Sequence, residues 1–293
     1  VEIIDSQVHI WDADRPERPW HRAALEQYLA RVEAAGVGNL DTAPVTYGVL
    51  LEKMATAGVD AAVLVTFGAY YELDDSYALE AARQHPDRFR VIGVLDPLAP
   101  DVTEQVARFA AQPGAAGLRV LMHTDERREQ LREGLLDGYF GAVQAEKLVL
   151  CLLAWGSLPE VPAIAQAYPD LQIVIDHMGV PQPPLPVGPD PFAALPDLLA
   201  LGAHPNVAVK LSGLPTLSRE SFPFRDLWPH IYRVCNAFGP ERVMWGSDTT
   251  RTGLDYGEEL RFIRDSRELS DADKELILGR ALRQVFRWPA GQS

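Results

Sequence analysis

Cysteine is scarce in this chain: Cys151 and Cys235 are the only two in 293 residues. That excludes a disulfide scaffold, and no Cys-x-x-Cys pair exists to knuckle a metal or cycle a disulfide. Cys151 falls in a strand-like run and Cys235 in a helical one, so both read as reduced core residues and a cytoplasmic location is expected. A run of about 18 apolar residues is also missing, and no signal-type segment opens the sequence, so neither a membrane span nor export is expected. Basic residues are outnumbered, 27 against 41 acidic, for a formal charge of −14. Such a field disfavours nucleic acid and anionic membrane as partners, although a few arginines in a cleft could still hold an anionic small molecule. No glycine-rich phosphate or dinucleotide loop follows a strand, and neither Gly-x-Ser-x-Gly nor His-Glu-x-x-His occurs. NTPase, serine-hydrolase and zinc-protease chemistry fail at the first step.

What is present is a repeated alternation. Eight apolar, β-branched runs occupy 3–10, 61–67, 89–95, 116–122, 147–154, 171–177, 206–212 and 242–248. They are continuous rather than alternating, as expected of strands covered on both faces. Between them lie segments of helical period, at 46–58, 74–85, 102–114, 135–146, 160–168, 192–202, 226–238, 257–268 and 271–287. Leu50, Met54 and Ala57 share one face of the first, and Gln112-Pro113-Gly114 stops the third. Strand then helix, eight times over, predicts an α/β fold: a single (β/α)8 TIM barrel spanning 1–293, a length such barrels commonly have. Two connections are long, at about 12–45 and 180–191. Both leave the C-terminal end of a strand and would rim an active-site mouth. Substrate-enclosing loops are the preferred reading; for the polar 12–45 segment a surface insertion is the alternative, while the proline-rich 180–191 segment suggests a stiff wall.

Polar residues gather at the strand ends. Asp5, Gln7 and His9 alternate along the first run and are expected to share its inner face. His177 ends the sixth run and Asp248 the eighth, so His9, His177 and Asp248 converge on one water or one metal ion. Any one of them alone reads as a bonded core histidine or a helix-capping aspartate; three on three strands at one end read as a site. Arg119, in the fourth run, either grips a substrate carboxylate through its planar fork or pairs inside the barrel with Asp96 or another carboxylate. Lys210, mid-strand, either reaches the cavity or pairs with Asp176 or Asp248, since an unpaired buried charge is costly. His123, Trp155 and Arg251 stand just past strand ends and are candidate substrate contacts; Tyr70 and Tyr71 are weaker ones. Cys151 has no basic neighbour in sequence and reads as core.

The segments IDSQVHIWD (4–12), GLRV (117–120), VIDHMGVP (174–181), VAVKLSG (207–213) and MWGSDTTR (244–251) resemble the amidohydrolase superfamily, in particular its lactonase-type branch of 2-pyrone-4,6-dicarboxylate, sugar-lactone and muconolactone hydrolases. The resemblance implies a barrel hydrolase in which Asp248 activates water, with His9 and His177 as its histidines and Arg119 as a substrate-binding arginine. Gln7 stands where the family's first-strand motif has its first histidine. A glutamine carbonyl is a weak ligand beside an imidazole. Some members of the branch work without metal, so no tightly bound cofactor is expected, with Gln7 acting as a donor to substrate. The alternative is one divalent cation, zinc or manganese, on His9, His177 and Asp248. The expected reaction is hydrolysis of a lactone bearing an anionic or sugar-acid group. A metal-dependent decarboxylase of the same superfamily and a non-catalytic binding relative are the rivals. The expected partner is a small-molecule substrate. Monomer and homodimer both stay open.

Overall fold

A computed structural model describes residues 1–34, 43–182, 189–252 and 254–289. Each apolar run forms a strand: β1 (Ile4–Val8), β2 (Ala61–Val65), β3 (Phe89–Val94), β4 (Ala115–Leu121), β5 (Val149–Leu153), β6 (Ile173–Ile175), β7 (Val207–Ser212) and β8 (Val243–Gly246). They lie side by side in sequence order, and every paired neighbour is parallel. That order follows from the helical crossovers, which a parallel pair requires. β8 then meets β1: the Asp248 N–H donates to the Gln7 carbonyl at 2.8 Å. The Ser247 N–H donates to the Asp5 carboxylate at 2.9 Å. The result is the expected (β/α)8 barrel.

Side chains fill the barrel rather than leaving a pore. Ile4, Val63, Ile92, Val149, Val174 and Met244 form its inner layer, continuous with Ala281, Leu282, Val285 and Phe286 of the C-terminal helical segment that plugs the lower end. The 271–287 helix is three pieces in the structure, with a wider π turn at Leu276–Arg280. Gly279 lies in that turn, and a Cβ there would come within 2.5 Å of the Glu2 carbonyl. The outer helices bury the faces that their periodicity marked. Leu50 and Met54 of Tyr47–Ala57 and Val106 and Phe109 of Val102–Ala110 all pack into the outer core. Each such side chain contributes about 1.5–3 kcal/mol. The helix Asp125–Arg132 was not expected: it buries no residue, and Thr124 caps its start. With no apolar face it leaves no periodic signal.

Three departures from regular strands shape the upper end. β1 carries a bulge, because Asp5 and Val8 pair with Ala62 and Leu64, one residue more on β1 than on β2. β6 stops two residues before the end of its apolar run. His177 and Met178 turn left-handed, with φ of 53° and 55°. Asp248, just past β8, does the same at 56°. Left-handed backbone is unfavourable for residues with a Cβ, and such positions concentrate at functional sites.

The 12–45 connection is not a plain loop. It contains the helix Arg22–Ala34, held by a cluster of rings. Trp11 stacks on Tyr70 at 4.9 Å, Trp20 meets Tyr70 edge-on at 4.8 Å, and Tyr28 meets Phe67 at 5.5 Å. Residues 35–42, and 183–188 of the proline-rich wall, lie outside the described residues. No helix among the described residues is long and apolar enough to cross a membrane.

Candidate active site

At the top of the barrel, side chains from β1, β4, β7 and the turns after β6 and β8 form one polar floor. Lys210, fully buried on β7, is the hinge of it. Its ammonium donates to Gln7 Oε1 at 2.9 Å and lies 2.8 Å from Asp176 Oδ1. Because an ammonium can only donate, the Gln7 oxygen must face Lys210 and its NH2 group must face the other way. That NH2 lies 3.5 Å from His9 Nε2. Arg119 Nε donates to Asp176 Oδ2 at 2.8 Å, and its Nη2 lies 3.3 Å from His177 Nε2. Burial alone would raise the Asp176 carboxyl; Lys210 and Arg119 overcome that and hold it down at about 2.

The two histidines are fixed in their tautomers by what surrounds them. His9 Nδ1 lies 2.7 Å from the Val65 carbonyl, an acceptor only, so Nδ1 carries the proton. Its Nε2 then faces Asp248 Oδ1 at 3.4 Å, and the ring stacks on Phe67 at 4.6 Å. His177 Nδ1 lies 2.8 Å from Ser212 Oγ and 3.9 Å from Asp248 Oδ2. With Arg119 donating toward Nε2, the His177 proton belongs on Nδ1. His9, His177 and Asp248 therefore do meet, around the buried Asp248 carboxylate.

Above this floor opens a cavity of about 350 Å³. His9, His177, Arg119, His123 and Trp155 line it. The rings of His123 and Trp155 lie 4.2 Å apart. Burial, then Arg31, Arg119 and Arg128, push the His123 ring down to about 4, so it is neutral at neutral pH. Gln7 and Asp248 sit behind these residues. The side chain of Arg251 lies outside the described residues.

Several expectations need correcting. Asp5 does not share the inner face with Gln7 and His9, because the β1 bulge reverses the alternation. It points outward and accepts from the Gln7 N–H at 2.9 Å and from Ser247 Oγ at 2.5 Å. One carboxylate thus pins the backbone beside both Gln7 and Asp248. Arg119 pairs with Asp176, not Asp96, whose carboxylate accepts from the Leu98 N–H. Of the two partners considered for Lys210, Asp176 is the one in contact. Tyr70 and Tyr71 are buried in the ring cluster, and Tyr71 Oη accepts from the Asp12 N–H at 2.9 Å. Cys151 is core, and burial pushes its thiol up to about 12.

Sequence reasoning named Asp176 only as a partner for Lys210 and missed that it also holds Arg119. Thr66 was missed altogether. Thr66 lines the cavity and donates to Asp75 Oδ1 at 2.5 Å; burial pushes that carboxyl up to about 7.

Residues 4–288 match the family described as Amidohydrolase. The chain belongs to the amidohydrolase family. It is a hydrolase. Among curated relatives of this amidohydrolase is the L-fucono-1,5-lactonase of Burkholderia ambifaria. That protein is 30% identical over 263 residues, covering 87% of this chain and 84% of the relative. The L-fucono-1,5-lactonase of Burkholderia multivorans is also 30% identical, covering 98% and 96%. Among solved structures, an amidohydrolase from Burkholderia multivorans superposes with a TM-score of 0.80 at 24% identity, covering 99% and 100%. That form holds HEPES, and a second crystal form of it holds zinc.

The donors in this amidohydrolase do not suit such a metal. The one ligating atom of Gln7 is turned onto Lys210, and the ring nitrogens of His177 face Arg119 and Ser212. Among the described residues no group of three His, Cys, Asp or Glu side chains is placed to hold a metal ion.

Proposed function

We propose that this amidohydrolase opens a lactone by attack of water on the ring carbonyl, with Asp248 as the base. The observation that carries the reading is the buried Asp248 carboxylate between His9 Nε2 and His177 Nδ1, two histidines that line the cavity. The two L-fucono-1,5-lactonases that resemble the chain over most of its length support the same reaction class.

The chemistry follows from where protons can go. Asp248 takes a proton from water as the oxygen attacks, and the unprotonated Nε2 of His9 beside it can relay that proton. Negative charge then builds on the carbonyl oxygen and needs donors already in place. Arg119 Nη2 and the Gln7 NH2 group can only donate, and they lie beside the cavity-lining rings of His177 and His9. Lys210 never touches substrate in this scheme. By holding Gln7 Oε1 it aims the amide, and by sharing Asp176 with Arg119 it keeps the region near neutrality. When the ring C–O bond breaks, the proton held on Asp248 or His9 passes to the leaving oxygen.

Cation and amide donors take the part that a Lewis acid would otherwise play, so no resident metal is needed. Asp248→Asn removes the base and keeps the shape. We expect turnover to fall by roughly 10²–10⁴-fold with an unchanged far-UV spectrum and melting temperature. Retained turnover would remove Asp248 from the base role.

A further inference from the structure

The helix Arg22–Ala34 turns one face to the cavity. Ala24, Gln27, Tyr28 and Arg31 all line it, and their spacing of three, four and seven residues is one stripe of a helix. The stripe is held in place because Tyr28 packs on Phe67, which in turn stacks on His9. This segment is therefore part of the substrate chamber and not a surface insertion.

The chamber's charges are nearly all spent internally. Arg119 and Lys210 share Asp176, Arg128 lies on Asp125, and Glu72 on the rim meets His21 at 3.0 Å. Arg31 is different: among the described residues lining the cavity it is the cation with no acidic partner. His123 lines the same cavity, near enough to feel the Arg31 charge, with Nδ1 buried and lacking a hydrogen-bond partner. A neutral imidazole beside an unpaired guanidinium is a donor set for an anion. The remaining wall is largely apolar, built from Phe67, Val94, Leu121, Leu153, Trp155 and Val180, and of its uncharged polar members Thr66 and Gln182 already donate to Asp75 and to the Ser212 carbonyl. A polyhydroxylated ring set against it would lose water at every hydroxyl and gain few partners in return. A flat ring would lose little and could lie against the aromatic faces.

We propose that Arg31, with His123, binds a carboxylate of the substrate at the outer part of the cavity, so the lactone is a flat, largely apolar ring bearing an acid group and not a sugar lactone. This rests on the lactonase reading for the word lactone; the anion site stands on its own geometry.

The test uses the whole protein and its Arg31→Met and Arg31→Lys variants, after matching melting temperatures confirm folding. Substrates are 2-pyrone bearing one carboxylate, unsubstituted 2-pyrone and glucono-1,5-lactone. In parallel, benzoate and benzamide binding is measured by calorimetry. The wild type should prefer the carboxylated pyrone. Arg31→Met should cut that preference at least about tenfold, through KM more than kcat, with partial rescue in Arg31→Lys. Equal loss on charged and uncharged pyrones, or a preference for gluconolactone, would overturn the proposal. If no lactone is opened, the lactonase reading fails, and benzoate decides the anion site. Benzoate binding weakened at least about tenfold in Arg31→Met, with benzamide little affected, supports the site. Equal benzoate affinity in both proteins refutes it.

Discussion

Asp5 offers a test in which stability and pH move together. Its carboxylate is fully buried on the outer side of β1 and accepts from the backbone N–H groups of Gln7 and Ser247 and from Ser247 Oγ. Burial outweighs those bonds and pushes the carboxyl from 3.8 up to about 6. A folded value above the unfolded one means that the native state holds the proton more tightly. The associated stability is complete below 3.8 and is lost as pH rises through about 6. By pH 8 the loss amounts to about 3 kcal/mol, a large share of the roughly 5–15 kcal/mol that keeps a domain folded. Asp5→Asn keeps one oxygen to accept from the two N–H groups and cannot ionise. Urea unfolding of both proteins from pH 4 to pH 8 should show stabilities nearly level at the acid end. The variant should lead by about 3 kcal/mol at the other. Parallel curves, or a variant weaker at pH 8, would refute the claim that Asp5 is held charged at a cost. Asp5→Ala should differ, because it strands the Gln7 and Ser247 N–H groups at about 1–3 kcal/mol each and frees the backbone beside Asp248; its kcat should fall.

Two further expectations concern the polar floor. Lys210→Met removes one of the two cations on Asp176 and the partner of Gln7 Oε1, and should destabilise the fold by about 3–5 kcal/mol, read as a lower urea midpoint. Prolonged dialysis against a chelator should leave lactone opening intact, and activity lost with chelation and regained with zinc would mean that Gln7 and His177 rearrange to admit a metal.

The barrel was legible because burial on both faces writes itself into composition: a strand such as Ile173–Ile175 can hold nothing polar. The convergence of His9, His177 and Asp248 was legible for a related reason, since parallel strands of one barrel end at one face. The outward orientation of Asp5 was not, because a single bulge between Asp5 and Val8 reverses every later side chain and leaves no mark in hydrophobicity. The left-handed turns at His177 and Asp248 were equally silent, since neither is glycine. Arg119 could be paired with an acid but not with the right one; Asp176 reaches it only because β6 stops short. The helix Arg22–Ala34 hid for a different reason. It buries only Leu25 and Val32, and its cavity stripe of Ala24, Gln27, Tyr28 and Arg31 is mixed in polarity.

That helix also says something about how such an enzyme changes. The floor belongs to the barrel: Gln7, Arg119 and Lys210 are on strands, and Asp248 is tied by its own N–H to β1. The Arg22–Ala34 wall touches that floor through packed rings, Tyr28 edge-on to Phe67 and Phe67 stacked on His9, and takes no part in the strand ladder. Residues on its inner stripe can therefore be exchanged one at a time while Asp248, Gln7 and Arg119 keep their places on the barrel. The share of substrate choice proposed for Arg31 thus sits on about two turns of helix that lie outside the barrel strands.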